Sequence, residues 1–292
     1  MIKEGISGFC MALADSVPGV SGGTIAFIMG FYDQFIGSIN DLVFGEMKDK
    51  KAALKYLIKL AAGWLLGMGI ASVILSSMFE SHIYLVSSVF TGFIAGSIPI
   101  VIQEESTSFK KDIKGFIFLI IGIFLVVFIT WLNSQTGTSS VDLRTVSLSL
   151  ALRLFLVGMI AISAMFLPGI SGSTLLLIFG MYIPVINGVK SLLSMDFSCL
   201  PSLLVFGCGV MIGAVTVVKM IKYCLDHFRI QTMYMILGMM IGSFYAIIMG
   251  PTTLKDVQPA LSLQSFHMIA VVIGLALVLG MHLFKVGEKH HV

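Results

Sequence analysis

Apolar residues run along this chain in long blocks separated by short polar segments. Blocks at 5–17 and 24–40 are followed by a charged segment, 41–55. Three more apolar blocks come next, at 56–79, 83–103 and 115–133, with polar breaks at 80–82 and 104–114. After a Ser/Thr/Gly-rich linker at 134–147 the order recurs: a long block over about 148–188, then 200–221, 232–250 and 263–284. A helix crossing a hydrocarbon core of about 30 Å needs roughly 20 such residues. Three full spans are therefore expected in each half, with the natural boundary between 140 and 141.

The first block of each half has a different grammar. Val17-Pro18-Gly19-Val20-Ser21-Gly22-Gly23-Thr24 interrupts one, and Leu167-Pro168-Gly169-Ile170-Ser171-Gly172-Ser173-Thr174 interrupts the other, 174 − 24 = 150 residues later. Backbone groups released from a helix find no water in hydrocarbon, so such breaks persist where protein or a cavity encloses them. The arm from 5 to 17 is roughly 20 Å long at 1.5 Å per residue, too short to cross, whereas 5–40 as one straight helix would exceed roughly 50 Å. A re-entrant hairpin that enters and leaves by one face fits both lengths. Hairpins are expected at about 5–40 and about 148–188, turning at Pro18-Gly19 and Pro168-Gly169. Glycine landmarks align the halves: Gly8 with Gly158, Gly30 with Gly180, Gly92 with Gly238, Gly96 with Gly242 and Gly122 with Gly274.

Composition fixes the class. Hydrophobic residues make up 57% and charged residues 11% of 292, which no soluble domain of this size shows. The expected fold is an all-α polytopic membrane protein, a single integral membrane domain. It is built of two inverted-topology repeats, 1–140 and 141–292, each a re-entrant helical hairpin followed by three transmembrane helices. The start of the chain resembles a signal peptide with an Ala12-Leu13-Ala14 cleavage site, but a similar small-residue segment at 158–164 stands where no cleavage could occur, so the N-terminus is expected to be kept.

Charge decides between topologies. With hairpins, Lys3, the lysines at 48–59, 110–114, 219 and 222, Arg229, Lys285 and Lys289 share one face, and only Arg144, Arg153, Lys190 and Lys255 lie on the other: 14 + 4 = 18. If each broken block crossed once instead, the best split of the same 18 would be 10 to 8. The positive-inside rule selects the hairpins, with both termini cytoplasmic. Cys10, Cys199, Cys208 and Cys224 lie in apolar blocks without CxxC spacing, and the histidines form no paired motif, so no metal, disulfide or cofactor is expected.

Hairpins entering from opposite faces bring their tips together near the midplane. The N–H groups and hydroxyls of Ser21, Gly22, Gly23 and Thr24, and of Ser171, Gly172, Ser173 and Thr174, then converge on one spot that suits a phosphate. No lysine follows the glycines, so this is not a Walker A loop. Asp15, one turn before the first tip, has Met165 as its counterpart; an intramembrane carboxylate is a candidate proton-coupling group, or else a cap on the turn. Lys3 and Arg153, 150 residues apart, stand at the start of each hairpin, as candidates for attracting a headgroup or as side chains snorkelling to the interface.

With these motifs, and with Gly30-Phe31-Tyr32 and Gly180-Met181-Tyr182 after the two breaks, essentially the whole chain resembles the PopT-type polyprenyl-phosphate transporters. The resemblance implies a translocase that returns undecaprenyl phosphate from the outer to the cytoplasmic leaflet of a bacterial inner membrane for reuse in cell-wall synthesis, without nucleic-acid partners. Oligomeric state is not indicated. Integral-membrane undecaprenyl pyrophosphate phosphatases also use inverted hairpins, with a Pro-Gly-x-Ser-Arg-Ser motif. Here Gly22 and Gly172 replace that arginine and no Glu-x-x-x-Glu pair lies in a span, so hydrolase activity is not expected. A small-anion channel or exchanger built on the same helix ends is the third reading.

Overall fold

The computed structural model describes residues 2–15, 21–105, 113–135, 141–145, 147–253 and 258–289, and every regular element among them is helical. The first block forms three helices, α1 (Ile2–Asp15), α2 (Gly22–Ile28) and α3 (Tyr32–Phe44), and its counterpart forms α6 (Leu148–Phe166), α7 (Gly172–Ile178) and α8 (Tyr182–Leu193). Between them lie α4 (Met47–Glu104) and α5 (Ile113–Gln135); α9 (Leu200–His227), α10 (Arg229–Met249) and α11 (Met268–Lys289) complete the chain. Within α4 the backbone leaves helical geometry at His82 (φ −138°, ψ 38°), which divides it into spans Met47–Ala71 and His82–Gln103. Among the described residues six helices are long and apolar enough to cross a membrane: those two, α5, α6, α9 and α10. Wide apolar faces stay uncovered, as at Phe116, Ile120 and Phe124 on α5, which is how a helix surrounded by lipid looks. The protein is a multi-pass helical membrane protein.

The second arm of each broken block is not one helix. α2 and α7 each stop after seven residues, at Gly30 (φ +71°) and Gly180 (φ +66°). At the first stop Phe31 N–H reaches the carbonyl of Ala26 and Gly30 N–H that of Phe27; at the second, Met181 reaches Leu176 and Gly180 reaches Leu177. Both are Schellman endings, which need a left-handed residue where only glycine fits without a steric penalty. The chain then turns sharply, by 111° between α7 and α8.

Helices approach closely through glycines, and the same contacts occur in both halves. A Cβ on Gly8 would fall on the carbonyl of Leu60 and one on Gly63 on that of Gly5; in the second half Gly158 meets Phe206 and Gly209 meets Phe155. Likewise Gly92 and Gly274 press α4 and α11 together at the carbonyls of Val271 and Val89, as Gly238 and Gly122 press α10 and α5 at those of Leu119 and Met235. Small residues let backbones approach where burial gives no hydrophobic gain, the membrane mode of helix packing.

Away from the two breaks, polar contacts tie helix ends together. Arg229, at the start of α10, binds Glu105 (2.7 Å) and Asp33 (3.0 Å), and Lys219 lies 4.9 Å over the ring of Phe44. Tyr84 donates to the carbonyl of Pro259, Ser202 to that of Leu143, and His267 N–H to Ser88 Oγ.

Candidate functional site

The two breaks touch. Ser21, the N-cap of α2, takes an extended conformation (φ −125°, ψ 153°), so its Oγ accepts from Thr24 N–H (3.4 Å) while donating to the carbonyl of Leu167 (3.0 Å). Thr24 Oγ1 lies 3.3 Å from Ser21 Oγ and accepts from Gly169 N–H at 3.0 Å. Tyr32, just past the Gly30 stop, donates its hydroxyl to the carbonyl of Phe166 (3.0 Å). A Cβ on Gly23 would stand 2.9 Å from that same carbonyl oxygen, so glycine is what lets the first tip lie against the second. Gly169 adopts φ +87°, and a side chain there would meet Ser243 Oγ and the carbonyl of Met239 at 2.6 Å. The second turn is thus wedged between α2 and α10.

Asp15 closes the first tip. Its Oδ1 accepts from Gly22 N–H at 2.6 Å and its Oδ2 from Trp64 Nε1–H at 2.9 Å. The carboxylate occupies the place where an anion would meet the first N–H of α2, and both oxygens are engaged. In the second half Gly172 faces the carbonyl of Ala161 (2.7 Å from a Cβ) and the Cβ of Met165. Ser171 makes no capping bond; its Oγ pairs with Ser173 Oγ at 2.7 Å. Among the described residues none accepts from the N–H groups of Gly172, Ser173 or Thr174. These donors, with two hydroxyls, are what the site offers a ligand as it stands.

The sequence-level candidates therefore fall into three groups. Ser21, Gly22, Gly23 and Thr24 lie at the contact and are fully buried, while Gly172, Ser173 and Thr174 are partly exposed beside it. Pro168 and Gly169 form the second turn, buried; Pro18 and Gly19 lie outside the described residues. Lys3 and Arg153 stand apart from the tips. Lys3 is exposed on the first turn of α1, and Arg153, also exposed, donates to the carbonyl of Phe179 (2.7 Å) where α7 ends. Sequence reasoning missed Trp64 and Tyr32. A lone Trp inside an apolar block reads as a lipid-facing ring. Tyr32 opens α3, two residues past Gly30, inside a block that reads as one continuous arm.

Broken apolar helices that meet through backbone and hydroxyl groups inside a multi-pass bundle define a transporter-like class, in which discontinuous helices frame a ligand site. The chain belongs to the VCA0040-like, undecaprenyl phosphate translocase-like family, whose pattern it matches over residues 11–265. It is 36% identical over 248 residues to a polyprenyl-phosphate transporter of Staphylococcus aureus, covering 85% of this chain and 86% of that one. It is 32% identical over 248 residues to a polyprenyl-phosphate transporter of Vibrio cholerae, covering 82% of this chain and 74% of that one. No solved structure matches the chain.

Proposed function

We propose that this protein is an undecaprenyl phosphate translocase of the bacterial cytoplasmic membrane. It returns the lipid carrier from the outer to the cytoplasmic leaflet for reuse in cell-wall polymer synthesis, and it does not hydrolyse the carrier. The observation that carries this reading is the direct hydrogen bonding between the two matched breaks, Ser21 to Leu167 and Gly169 to Thr24, across 146 and 145 residues of chain. Family membership supplies the lipid; the meeting of two interrupted helices supplies a place for its headgroup.

The paired glycine contacts support two inverted repeats. Packing of α1 on α4 recurs as α6 on α9, and packing of α4 on α11 recurs as α10 on α5, the exchange a two-fold relation produces, and the lysine count favours an axis in the membrane plane. Arg229 joins Asp33 and Glu105 where α10 begins, and the lysine count supports assigning that end to the cytoplasm. Both termini are then cytoplasmic and the hairpins open to opposite leaflets.

The phosphate is first held by Gly172, Ser173 and Thr174 N–H and the hydroxyls of Ser171 and Ser173. Ser21, Gly22, Gly23 and Thr24 join it when the tips part and their present partners are released. Arg153 and Lys3, at the shallow ends of the hairpins, draw the anionic headgroup toward the two mouths. Asp15 couples this to protons: it occupies Gly22 N–H when the phosphate is absent, so loss of the carboxylate's charge frees that donor. The reading is tested by reconstituting the protein in proteoliposomes, with undecaprenyl phosphate movement between leaflets and inorganic phosphate release from added undecaprenyl pyrophosphate measured side by side. Movement without release is expected; release without movement would make the protein a phosphatase.

A further inference from the structure

Three side chains of the first broken block hold the backbone of the second. Tyr32 binds the carbonyl of Phe166, Ser21 that of Leu167, and Thr24 receives Gly169 N–H, so three of four consecutive residues, 166–169, are fastened. Ser21, Thr24 and Tyr32 are 1%, 0% and 2% exposed, which means that a phosphate cannot stand between the breaks while these bonds last. Ser21 and Thr24 belong to the motif, but Tyr32 does not. It reaches the second break from beyond the Gly30 turn, and its hydroxyl bonds a backbone carbonyl rather than a group assigned to the headgroup.

We infer that Tyr32 is a positioning residue that holds the two breaks closed, acting through the backbone of Phe166, and that this bond must break before the lipid headgroup, first held at the second break, can be held by both. The inference rests on the translocase reading above and names its conformational control. When the binding-competent state is only a fraction of the population, the apparent affinity is lowered by that fraction. A latch that favours the closed state therefore weakens lipid binding, and removing it strengthens binding. A residue that merely supports the site would have the opposite effect. Phe at position 32 keeps the ring, which meets Phe27 edge-on at 5.7 Å, and removes only the hydroxyl. The net worth of one neutral hydrogen bond corresponds to about a five-fold shift in the equilibrium.

The test uses the full chain in nanodiscs of phosphatidylglycerol and phosphatidylethanolamine. Amide hydrogen exchange is followed in the segment 166–175, and binding of added undecaprenyl phosphate is measured with undecaprenol, which lacks the phosphate, as the control. Tyr32→Phe is expected to exchange about five-fold faster in that segment without lipid, and to bind undecaprenyl phosphate about five-fold more tightly, with undecaprenol unaffected. Thr24→Val, which removes the acceptor of Gly169 N–H, should also speed exchange there, and Thr24→Ser should restore protection. Unchanged exchange in Tyr32→Phe overturns the latch, as does faster exchange with weaker lipid binding. Should the unaltered protein neither bind nor move undecaprenyl phosphate, the translocase reading fails, while the exchange measurements still decide whether Tyr32 holds the breaks together.

Discussion

At Asp15 a carboxylate meets two donors inside an apolar bundle, Gly22 N–H and Trp64 Nε1–H, and the two candidate roles of this residue separate under substitution. Asparagine retains an oxygen for Gly22 but cannot ionise. If Asp15 couples transport to protons, Asp15→Asn moves undecaprenyl phosphate at a rate insensitive to an imposed pH gradient and at least about tenfold slower, a barrier change of about 1.4 kcal/mol. If the carboxylate only caps the turn, the gradient response survives. Asp15→Ala strands both donors, and thermal unfolding should register a loss of about 1–3 kcal/mol for each. The residues of the two breaks were legible in the sequence because Pro, Gly and Ser are conspicuous in apolar surroundings and occur twice. Their partners were not. Trp64 is polar at one atom only, and nothing in its block marks the side of the helix that faces Asp15.

Helices were legible as blocks but not where they stop inside the broken ones. The block 24–40 reads as one continuous arm, yet the chain ends α2 at Ile28 and begins α3 at Tyr32, because Gly30 takes the left-handed conformation that closes a Schellman ending. The aligned Gly30 and Gly180 were visible as landmarks; their meaning as helix stops required backbone geometry. Conversely, the break at 80–82 appears in the structure as a distortion at His82 within α4. Glycines between helices act through contact rather than conformation. Gly63→Ala and Gly209→Ala push a methyl group onto the carbonyls of Gly5 and Phe155, at equivalent places in the two halves, and each should cost about 1–3 kcal/mol in thermal unfolding. Gly207, with nothing within 4 Å of a Cβ, accepts alanine with a change within about 0.5 kcal/mol. Equal losses at 63 and 209 are the outcome that the repeat predicts; a loss at one and none at the other would contradict equivalent packing.

For the molecule as a whole, the class followed directly from composition, since 57% hydrophobic residues leave only a membrane to cover them. The proposed sidedness rests on charge. In a background with its four cysteines replaced by alanine, a cysteine at Asp196 should react with a membrane-impermeant maleimide added to intact cells. One at Asp226 should react only after permeabilisation. The reverse pattern would invert the topology. That the two tips meet was expected from opposed hairpins, but not which atoms join them, because no local pattern encodes the hydrogen bonds between residues 21–32 and 166–169. The central claim, that main-chain amides of the broken helices hold a lipid phosphate, is tested most directly by magnetic resonance between the phosphorus of bound undecaprenyl phosphate and backbone nitrogen. Dephasing at the Gly172 and Ser173 amides, at nitrogen–phosphorus distances of about 4 Å, is the predicted result. Dephasing confined to the interfacial lysines, such as Lys48 and Lys51, with none at residues 171–174 would contradict it.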